Sequence, residues 1–544
     1  MKKIRVAAVA AACLFAAPVF ALAGCADTDE TVVLRVSNWE EYIDLGDWGD
    51  DEAIDVENPY TGEDYIMGVN SVIDDFTEWF NSQDYGFDVR VEYSTFGTNE
   101  DLYNQLNLGD VYDLVCPSDY MIMKLLDKEK IQPFSADFMN PDIETNYYIN
   151  NVSPYIDGEE DSIFYQHKWN GIAACYMWGT TGFVFNPDPE LVKNEEDVAA
   201  CNILTNSNYY KSVTVKDNVR DAYFAALSIL YEDELNAINA DESLSQEDKN
   251  EARSALLNDT DADTIAAAED ILKDIKDNVY SFETDSGKTD MVTGKVIANY
   301  QWSGDAVYIM DQADEEDTEL WYSVPEESTN LWFDGWVMLK DGIDGNENRQ
   351  IAAEAFVNFL SRPDIAVRNM YYIGYTSSIA AEEVFNYFDW CYGVVTDEES
   401  EDFYEFENVY VYDVSYFFGE DSYIYIDMDT VAVENPVLTH DYDDDEYLAG
   451  YEGRIYSGGT ISMGRQAFGQ YPTQDVIDRS VVMLDFGDDL AAINQMWINV
   501  RCLDVADIPV STVIIIAVVI AVIAAAIVLY RFRFRIFYNR KRTA

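Results

Sequence analysis

Aromatic rings and carboxylates stand side by side near residue 40, and this combination is typical of sites that bind organic cations. Trp39 and Tyr42 provide ring faces, while Glu40 and Glu41, directly between them, provide negative charge. Ammonium groups are attracted both to carboxylates and to the faces of aromatic rings. Basic residues are scarce here, which disfavours an anion as the ligand. These residues therefore predict a site for a positively charged small molecule.

A strand and a helix must position this cluster. Residues 32–39 read as a strand that ends at the cluster, and residues 72–81 have apolar side chains at helical spacing. The same alternation continues as a strand over 87–93, a helix over 99–108, a strand over 112–116 and a helix over 120–130. Alternating strands and helices predict a parallel sheet, whose ligands bind at the carboxyl ends of the strands.

A second set of elements predicts a second lobe, so the expected fold class is α/β with two lobes, an interlobe cleft and a hinge. The apolar run 171–186 reads as strands that cross between the lobes, and 212–302 contains another strand and helix set. We predict a first lobe of residues 32–185 and 305–385 and a second lobe of 186–304. Residues 386–471 form a predicted acidic, tyrosine-rich insertion, and 472–505 return to the binding domain.

Composition excludes several classes of function. The net charge is -70, from 103 acidic and 33 basic residues, which argues against nucleic acid as a partner because phosphate contacts need clustered Lys and Arg. The chain has no Cys-x-x-Cys pair and only two His residues, so neither a metal site nor a cofactor is expected. An acidic stretch over 441–452 has part of the spacing of a calcium loop, but Glu446 stands where the turn needs Gly, and a solvated loop is preferred.

Both ends of the sequence predict attachment to a membrane. Residues 1–24 have the basic start and apolar run of an export signal, and Cys25 follows small residues as in a bacterial lipoprotein box, although an ordinary cleavage site after 21–23 is an alternative. The uncharged run 510–530 is long enough to span a bilayer, and the basic tail 531–544 is then cytoplasmic. The rest of the chain is expected on the extracytoplasmic side.

Five segments together resemble, in order, the periplasmic spermidine/putrescine-binding proteins of bacterial ABC transporters, an extracellular solute-binding family. They are Ser37-Asn38-Trp39-Glu40-Glu41-Tyr42, Tyr112-Asp113-Leu114-Val115-Cys116-Pro117-Ser118-Asp119-Tyr120, Trp178-Gly179-Thr180-Thr181-Gly182, Trp332-Phe333-Asp334 and Ile373-Gly374-Tyr375. The resemblance spans about residues 32 to 380 and implies the two-lobed periplasmic-binding-protein fold of type II.

The resemblance also implies a ligand-binding residue set. In that family a linear polyamine lies in the cleft, with rings around its methylenes and carboxylates at its ammonium groups. Transferred to this sequence, the set comprises Trp39, Glu40, Glu41, Tyr42, Ser118, Tyr120, Asn218, Asp221, Trp302, Trp332, Asp334 and Tyr375. Two positions depart from the family: Asn218 stands where an Asp is usual, and Glu40 where Thr or Ser is usual, which leaves the ligand's length open.

The expected function is that of a monomeric, membrane-tethered binding protein that captures polyamine and delivers it to the subunits of an ABC permease, without catalysis. Two alternatives remain open from the sequence. Carboxylates and Trp rings also bind sugars, so another small solute on the same fold is possible. A hydrolase that uses paired carboxylates is the alternative from another class, because their separation cannot be read from sequence.

Overall fold

The computed structural model describes residues 31–46, 54–57, 64–159, 162–394, 409–427, 455–456, 463–502 and 523. Within these ranges no helix has the length and apolar character needed to cross a bilayer. The predicted signal, Cys25 and the cytoplasmic tail lie outside the described residues. So do the predicted transmembrane helix, apart from residue 523, and the acidic loop 441–452.

The strands are β1 (Val32–Trp39), β2 (Ile54–Glu57), β3 (Asp64–Met67), β4 (Val89–Phe96), β5 (Leu114–Val115), β6 (Ile131–Gln132), β7 (Ala174–Phe185), β8 (Val213–Lys216), β9 (Ser281–Glu283), β10 (Ala298–Trp302), β11 (Trp321–Ser323), β12 (Thr329–Leu339), β13 (Thr376–Ser377), β14 (Val409–Asp413), β15 (Tyr423–Asp427), β16 (Ile455–Tyr456), β17 (Met463–Gly464) and β18 (Ser480–Val481).

The helices are α1 (Val72–Ser82), α2 (Asn99–Leu108), α3 (Asp119–Asp127), α4 (Tyr147–Asn151), α5 (Ile163–His167), α6 (Val219–Leu230), α7 (Glu232–Ala240), α8 (Gln246–Leu257), α9 (Ala262–Asn278), α10 (Ser286–Val292), α11 (Ser303–Glu315), α12 (Lys340–Ile343), α13 (Glu347–Leu360), α14 (Pro363–Ile373), α15 (Glu382–Tyr392), α16 (Ser415–Phe418), α17 (Gln466–Gln470), α18 (Gln474–Arg479) and α19 (Leu490–Arg501).

The main sheet runs through both lobes in the order β4-β1-β5-β12-β7-β10-β8-β9. Strand β1 is parallel to β4 and to β5, which confirms the parallel pairing predicted for this part of the sequence. Strand β8 is likewise parallel to β9 and β10. The first lobe is built on β1, β4 and β5, and the second on β8, β9 and β10.

Two long strands, β7 and β12, connect the lobes. Every residue of both strands is buried, as expected for apolar runs that are covered on both faces. The strands pair antiparallel with each other, and the later half of β7 then pairs with β10 of the second lobe. The predicted crossing at 171–186 corresponds to β7, whereas the exact division of the sequence into lobes remains a prediction.

The region predicted as an acidic insertion contributes to the first lobe's core. Val411, Tyr412 and Phe417 are buried, and the Phe417 ring stacks on that of Trp178 at 5.2 Å. The hydroxyl of Tyr412 donates to the carbonyl oxygen of Tyr471 at 2.6 Å. The described part of 386–471 is therefore packed structure, and helix α15 extends across the predicted boundary at 385.

The C-terminal segment packs on the second lobe. Ile493, Met496 and Val500 of α19 are fully buried in the same core as Leu272 of α9 and Ala222 of α6. Helix α19 thus covers the face of the second lobe formed by α6 and α9, while the assignment of residues 472–505 to the binding domain remains a prediction.

Candidate ligand-binding cleft

A cavity of about 190 Å³ lies where the two lobes meet. Its wall contains every residue in the predicted ligand-binding set: Trp39, Glu40, Glu41, Tyr42, Ser118, Tyr120, Asn218, Asp221, Trp302, Trp332, Asp334 and Tyr375. These residues come from stretches that lie far apart in the sequence. The structure brings them together, whereas their roles in binding a ligand remain a prediction.

Asp334 is the buried carboxylate of the first lobe's wall. It lies in β12, and it accepts hydrogen bonds from the Tyr42 hydroxyl at 2.7 Å and from Ser118 Oγ at 2.6 Å. Burial raises its pKa to about 6, although both hydrogen bonds act in the opposite direction. A group with a pKa near 6 is mostly ionised at neutral pH and gains from a cation placed beside it.

The loop after β1 is held in a fixed conformation. Glu41 has φ of 53°, a left-handed conformation that is uncommon for residues other than Gly. Three residues further on, the fully buried Asp44 accepts a hydrogen bond from Arg368 Nε of α14 at 2.5 Å. Arg368 also donates to Asp75 of α1 at 2.6 Å. This ion-pair network fixes the loop that carries Glu40, Glu41 and Tyr42.

Tyr375 lies at the centre of an aromatic cluster. Its ring is 4.9 Å from that of Tyr42, edge to face, and 5.7 Å from that of Trp332. Helix α11 approaches so closely that a Cβ on Gly304 would lie 2.2 Å from the Tyr375 ring. Only Gly fits at this contact, which places the start of α11 against the cavity.

The second lobe contributes the start of α6. Asn218 caps the helix, because its Oδ1 accepts from the Arg220 backbone N at 2.8 Å. Asp221, in the first turn, accepts from Trp302 Nε1 at 3.3 Å, and burial raises its pKa to about 6. The side-chain oxygen of Asn218 is therefore used to cap α6. Asp221 provides a second buried carboxylate, on the lobe opposite the one that carries Asp334.

A cation–π contact joins the lobes beside this carboxylate. The guanidinium carbon of Arg220 in α6 lies 4.4 Å from the ring centre of Tyr120 in α3 and 3.9 Å from that of Phe486. The Tyr120 hydroxyl accepts from Asn99 Nδ2 at 2.9 Å. Tyr120, predicted to contact ligand, thus also forms part of the contact between the two lobes.

A charged cluster at α11 was not predicted from the sequence. Asp305 accepts from the Tyr375 hydroxyl at 3.0 Å and is paired with Lys216 at 3.2 Å and Lys288 at 3.1 Å. Lys216 also lies 4.4 Å from the centre of the Trp302 ring. Burial raises the pKa of Asp305, but the two ammonium groups outweigh it and leave the pKa below its ordinary value.

One signal could have identified Asp305, because it lies three residues after Trp302, the last residue of β10. Polar residues at the carboxyl ends of strands line clefts in such folds. Lys288 had no comparable signal, since α10 follows a short strand in a polar stretch of sequence. Phe96, Asn99, Asp119, Arg220 and Asp285 also line the cavity and were missed.

The cavity suits a flexible cation with apolar segments. Its wall carries an excess of carboxylates over ammonium and guanidinium groups, and its rings offer faces for both methylenes and cations. Among the described residues, no group of three or more His, Cys, Asp or Glu side chains has the arrangement of a metal site. The arrangement provides binding contacts from both lobes.

Comparison with known proteins is consistent with this geometry. The sequence matches the family described as bacterial extracellular solute-binding protein over residues 72–384. It is 26% identical over 307 residues to the spermidine/putrescine-binding periplasmic protein of Escherichia coli, covering 54% of this chain and 72% of that protein. It is 25% identical over 362 residues to the putrescine-binding periplasmic protein SpuD of Pseudomonas aeruginosa, covering 63% of this chain and 77% of that protein.

A solved structure shows the same overall fold. The Tp0655 (TpPotD) lipoprotein of Treponema pallidum superimposes with a TM-score of 0.50 and 16% identity, over 86% of this chain and 99% of that one. The predicted two-lobed α/β fold of periplasmic binding proteins is thereby confirmed. With the family match covering more than half of its length, the chain belongs to the bacterial extracellular solute-binding proteins.

Proposed function

We propose that this protein captures a linear polyamine, spermidine or putrescine, and delivers it to an ABC permease. The observation that carries the proposal is the convergence of the whole predicted residue set on one interlobe cavity. Relatives named for spermidine and putrescine binding support the same ligand class. The hydrolase alternative has no such support, because the family is one of solute-binding proteins.

The geometry provides for capture by closure. Asp334, Tyr42 and Ser118 lie on the first lobe, and Asp221 lies on the second. A ligand favours the closed state only through contacts that the open state lacks. A diamine whose ammonium groups reach carboxylates on both lobes meets that requirement, while Trp302, Trp332 and Tyr375 cover its methylenes.

Calorimetric titration of the purified full-length protein with putrescine and spermidine tests the proposal. Dissociation constants in the micromolar range or below would support the proposal for either amine. They correspond to a binding free energy of about -8 kcal/mol or more negative. An absence of heat with both amines, together with a thermal shift caused by a sugar, would replace the polyamine by the alternative solute.

Binding is expected to weaken as the pH falls below about 6. The pKa values of Asp334 and Asp221 are both raised to about 6 by burial, and a bound ammonium group favours their ionised forms. Each carboxyl can therefore reduce affinity by up to about tenfold per pH unit below 6. Titrations between neutral and acidic pH, in buffers of different ionisation heat, should show proton release on binding near pH 6.

The pH dependence of stability distinguishes this loss of affinity from unfolding of the protein at low pH. Because these two pKa values are higher in the folded than in the unfolded chain, both groups favour the folded state increasingly as the pH falls through about 6. Affinity that stayed constant from neutral pH down to about 5 would contradict the assignment of both carboxylates.

We further propose that Cys25 is lipidated and that residues 510–530 span the membrane, with 531–544 in the cytoplasm. This proposal rests on the sequence patterns alone. Two anchors would hold the binding domain close to its permease at high effective concentration. Labelled palmitate that was incorporated equally into the wild type and Cys25→Ala would exclude lipidation at this residue.

A further inference from the structure

Lys288 places an ammonium group inside the proposed polyamine cavity. It belongs to α10, its Nζ lies 3.1 Å from Asp305 Oδ1, and its side chain retains 24% exposure. Burial lowers its pKa, but attraction by Asp305, Asp285 and Glu41 outweighs this and raises the pKa above its ordinary value. Lys288 is therefore a permanent cation that faces carboxylates of the same cavity wall.

The fold does not need Lys288 to neutralise Asp305. Lys216 is 1% exposed, lies 3.2 Å from Asp305 Oδ2 and also donates to the carbonyl oxygen of Thr284 at 2.7 Å. Tyr375 donates to Asp305 as well. Asp305 thus has a buried cationic partner beneath the cavity, and Lys288 adds a second cation from the cavity side.

This arrangement distinguishes Asp305 from two other carboxylates of the cavity wall, Asp334 and Asp221. Asp305 is paired with two ammonium groups of the protein itself. Asp334 and Asp221 form ion pairs with no Lys or Arg in the described part of the chain, and their hydrogen bonds come from Tyr42, Ser118 and Trp302. A ligand ammonium near Asp305 would meet two ammonium groups in direct contact with that carboxylate, whereas one near Asp334 would meet none. Asp221 is intermediate, because Lys216 and Arg220 act on it without forming an ion pair.

We propose that Lys288 acts as a tethered ammonium that occupies one end of the cleft and restricts the ligand to a short linear diamine. This inference rests on the proposed polyamine function and adds a determinant of ligand length to it. A triamine must place an additional cation in the cleft, so it must displace Lys288 from Asp305 or bind beside it. Like-charge contacts of this kind discriminate between ligands that are otherwise similar.

The test compares Lys288→Met with Lys295→Met in the full-length protein. Lys295 follows the same helix, pairs with Asp290 at 2.9 Å and is 45% exposed, so its replacement removes the same charge outside the cavity. Calorimetry would give the dissociation constants of putrescine and spermidine for each variant. Comparing the ratio of the two constants cancels any general effect of net charge on cation binding.

The wild type and Lys295→Met should prefer putrescine, and Lys288→Met should shift the ratio toward spermidine by about tenfold. Lys288→Arg, which keeps the charge, should retain the wild-type preference, and Lys288→Ala would replace the Met variant if that variant does not fold. A wild type that prefers spermidine, or a ratio unchanged in Lys288→Met, would overturn the proposal. A wild type that binds neither amine would overturn the polyamine function itself.

Discussion

Replacing Asp334 by Asn should weaken polyamine binding by about 30-fold or more, since removing one partner of a buried charge pair costs about 2–5 kcal/mol. The amide keeps the size of the side chain. Tyr42 and Ser118 donate to different oxygens of Asp334, at 2.7 and 2.6 Å, so the amide oxygen keeps one of these bonds and the other hydroxyl must turn to accept from the amide nitrogen. The loss should therefore reflect charge rather than altered packing. Calorimetric titration of variant and wild type with putrescine measures the effect.

Asp341→Asn is the matched control, because Asp341 is also on the first lobe and its side chain is 82% exposed. It removes one negative charge without touching the cavity, so its affinity should stay near that of the wild type. Equal losses of polyamine affinity in both variants would mean that Asp334 acts only through its contribution to the net charge of the protein. Unchanged affinity in Asp334→Asn would show that the ligand does not contact this carboxylate.

Arg368→Met should lower the free energy of unfolding by about 3–5 kcal/mol, because it removes the cation from a buried ion-pair network. The guanidinium is 1% exposed and bonds both Asp44 and Asp75, of which Asp44 is fully buried. Met fills much of the same volume, so the effect should come from the loss of the guanidinium charge. Urea unfolding followed by circular dichroism measures it.

Arg90→Met provides the comparison, since Arg90 is 57% exposed and its pair with Glu92 lies on the surface. Surface pairs of this kind contribute about 0–1 kcal/mol. The Arg368 variant should also bind polyamine more weakly, because the loop bearing Glu40 to Tyr42 then keeps only the bond from the Asp44 backbone N to Asn369 Oδ1 among its described hydrogen bonds to α14. Stability equal to that of Arg90→Met would contradict the role assigned to the network.

The predicted site residues could be found from sequence because the segments that carry them resemble, in order, those of the polyamine-binding family, and several also stand at the ends of predicted elements. Trp39 to Tyr42 come at the end of β1, Ser118 precedes α3, and Trp302 ends β10. The order of the motifs along the chain then allowed them to be assigned to one cleft. No distance between them was needed for that assignment.

What could not be predicted depends on contacts between distant segments. The ion pair of Lys288 with Asp305, and the position of both residues in the cavity wall, can be recognised only in the folded structure. Asn218 has a second role that its motif did not indicate, because it caps α6 as well as lining the cavity. Likewise, the tyrosine-rich region after 386 has no clear periodicity, although Tyr412 and Phe417 are buried in the first core.

The long connecting strands β7 and β12 have a consequence for how the chain folds. Trp332 Nε1 donates to the carbonyl oxygen of Thr180 across 152 positions of the sequence, and Arg368 reaches Asp44 across 324. The first lobe's core therefore cannot close until nearly the whole second lobe has been synthesised. Contacts of such long range slow folding, because the entropy of closing the intervening loop is lost before the contacts form. The N-terminal strands β1, β4 and β5 therefore cannot complete their sheet until β12, which follows most of the chain in sequence, is available to pair with β5.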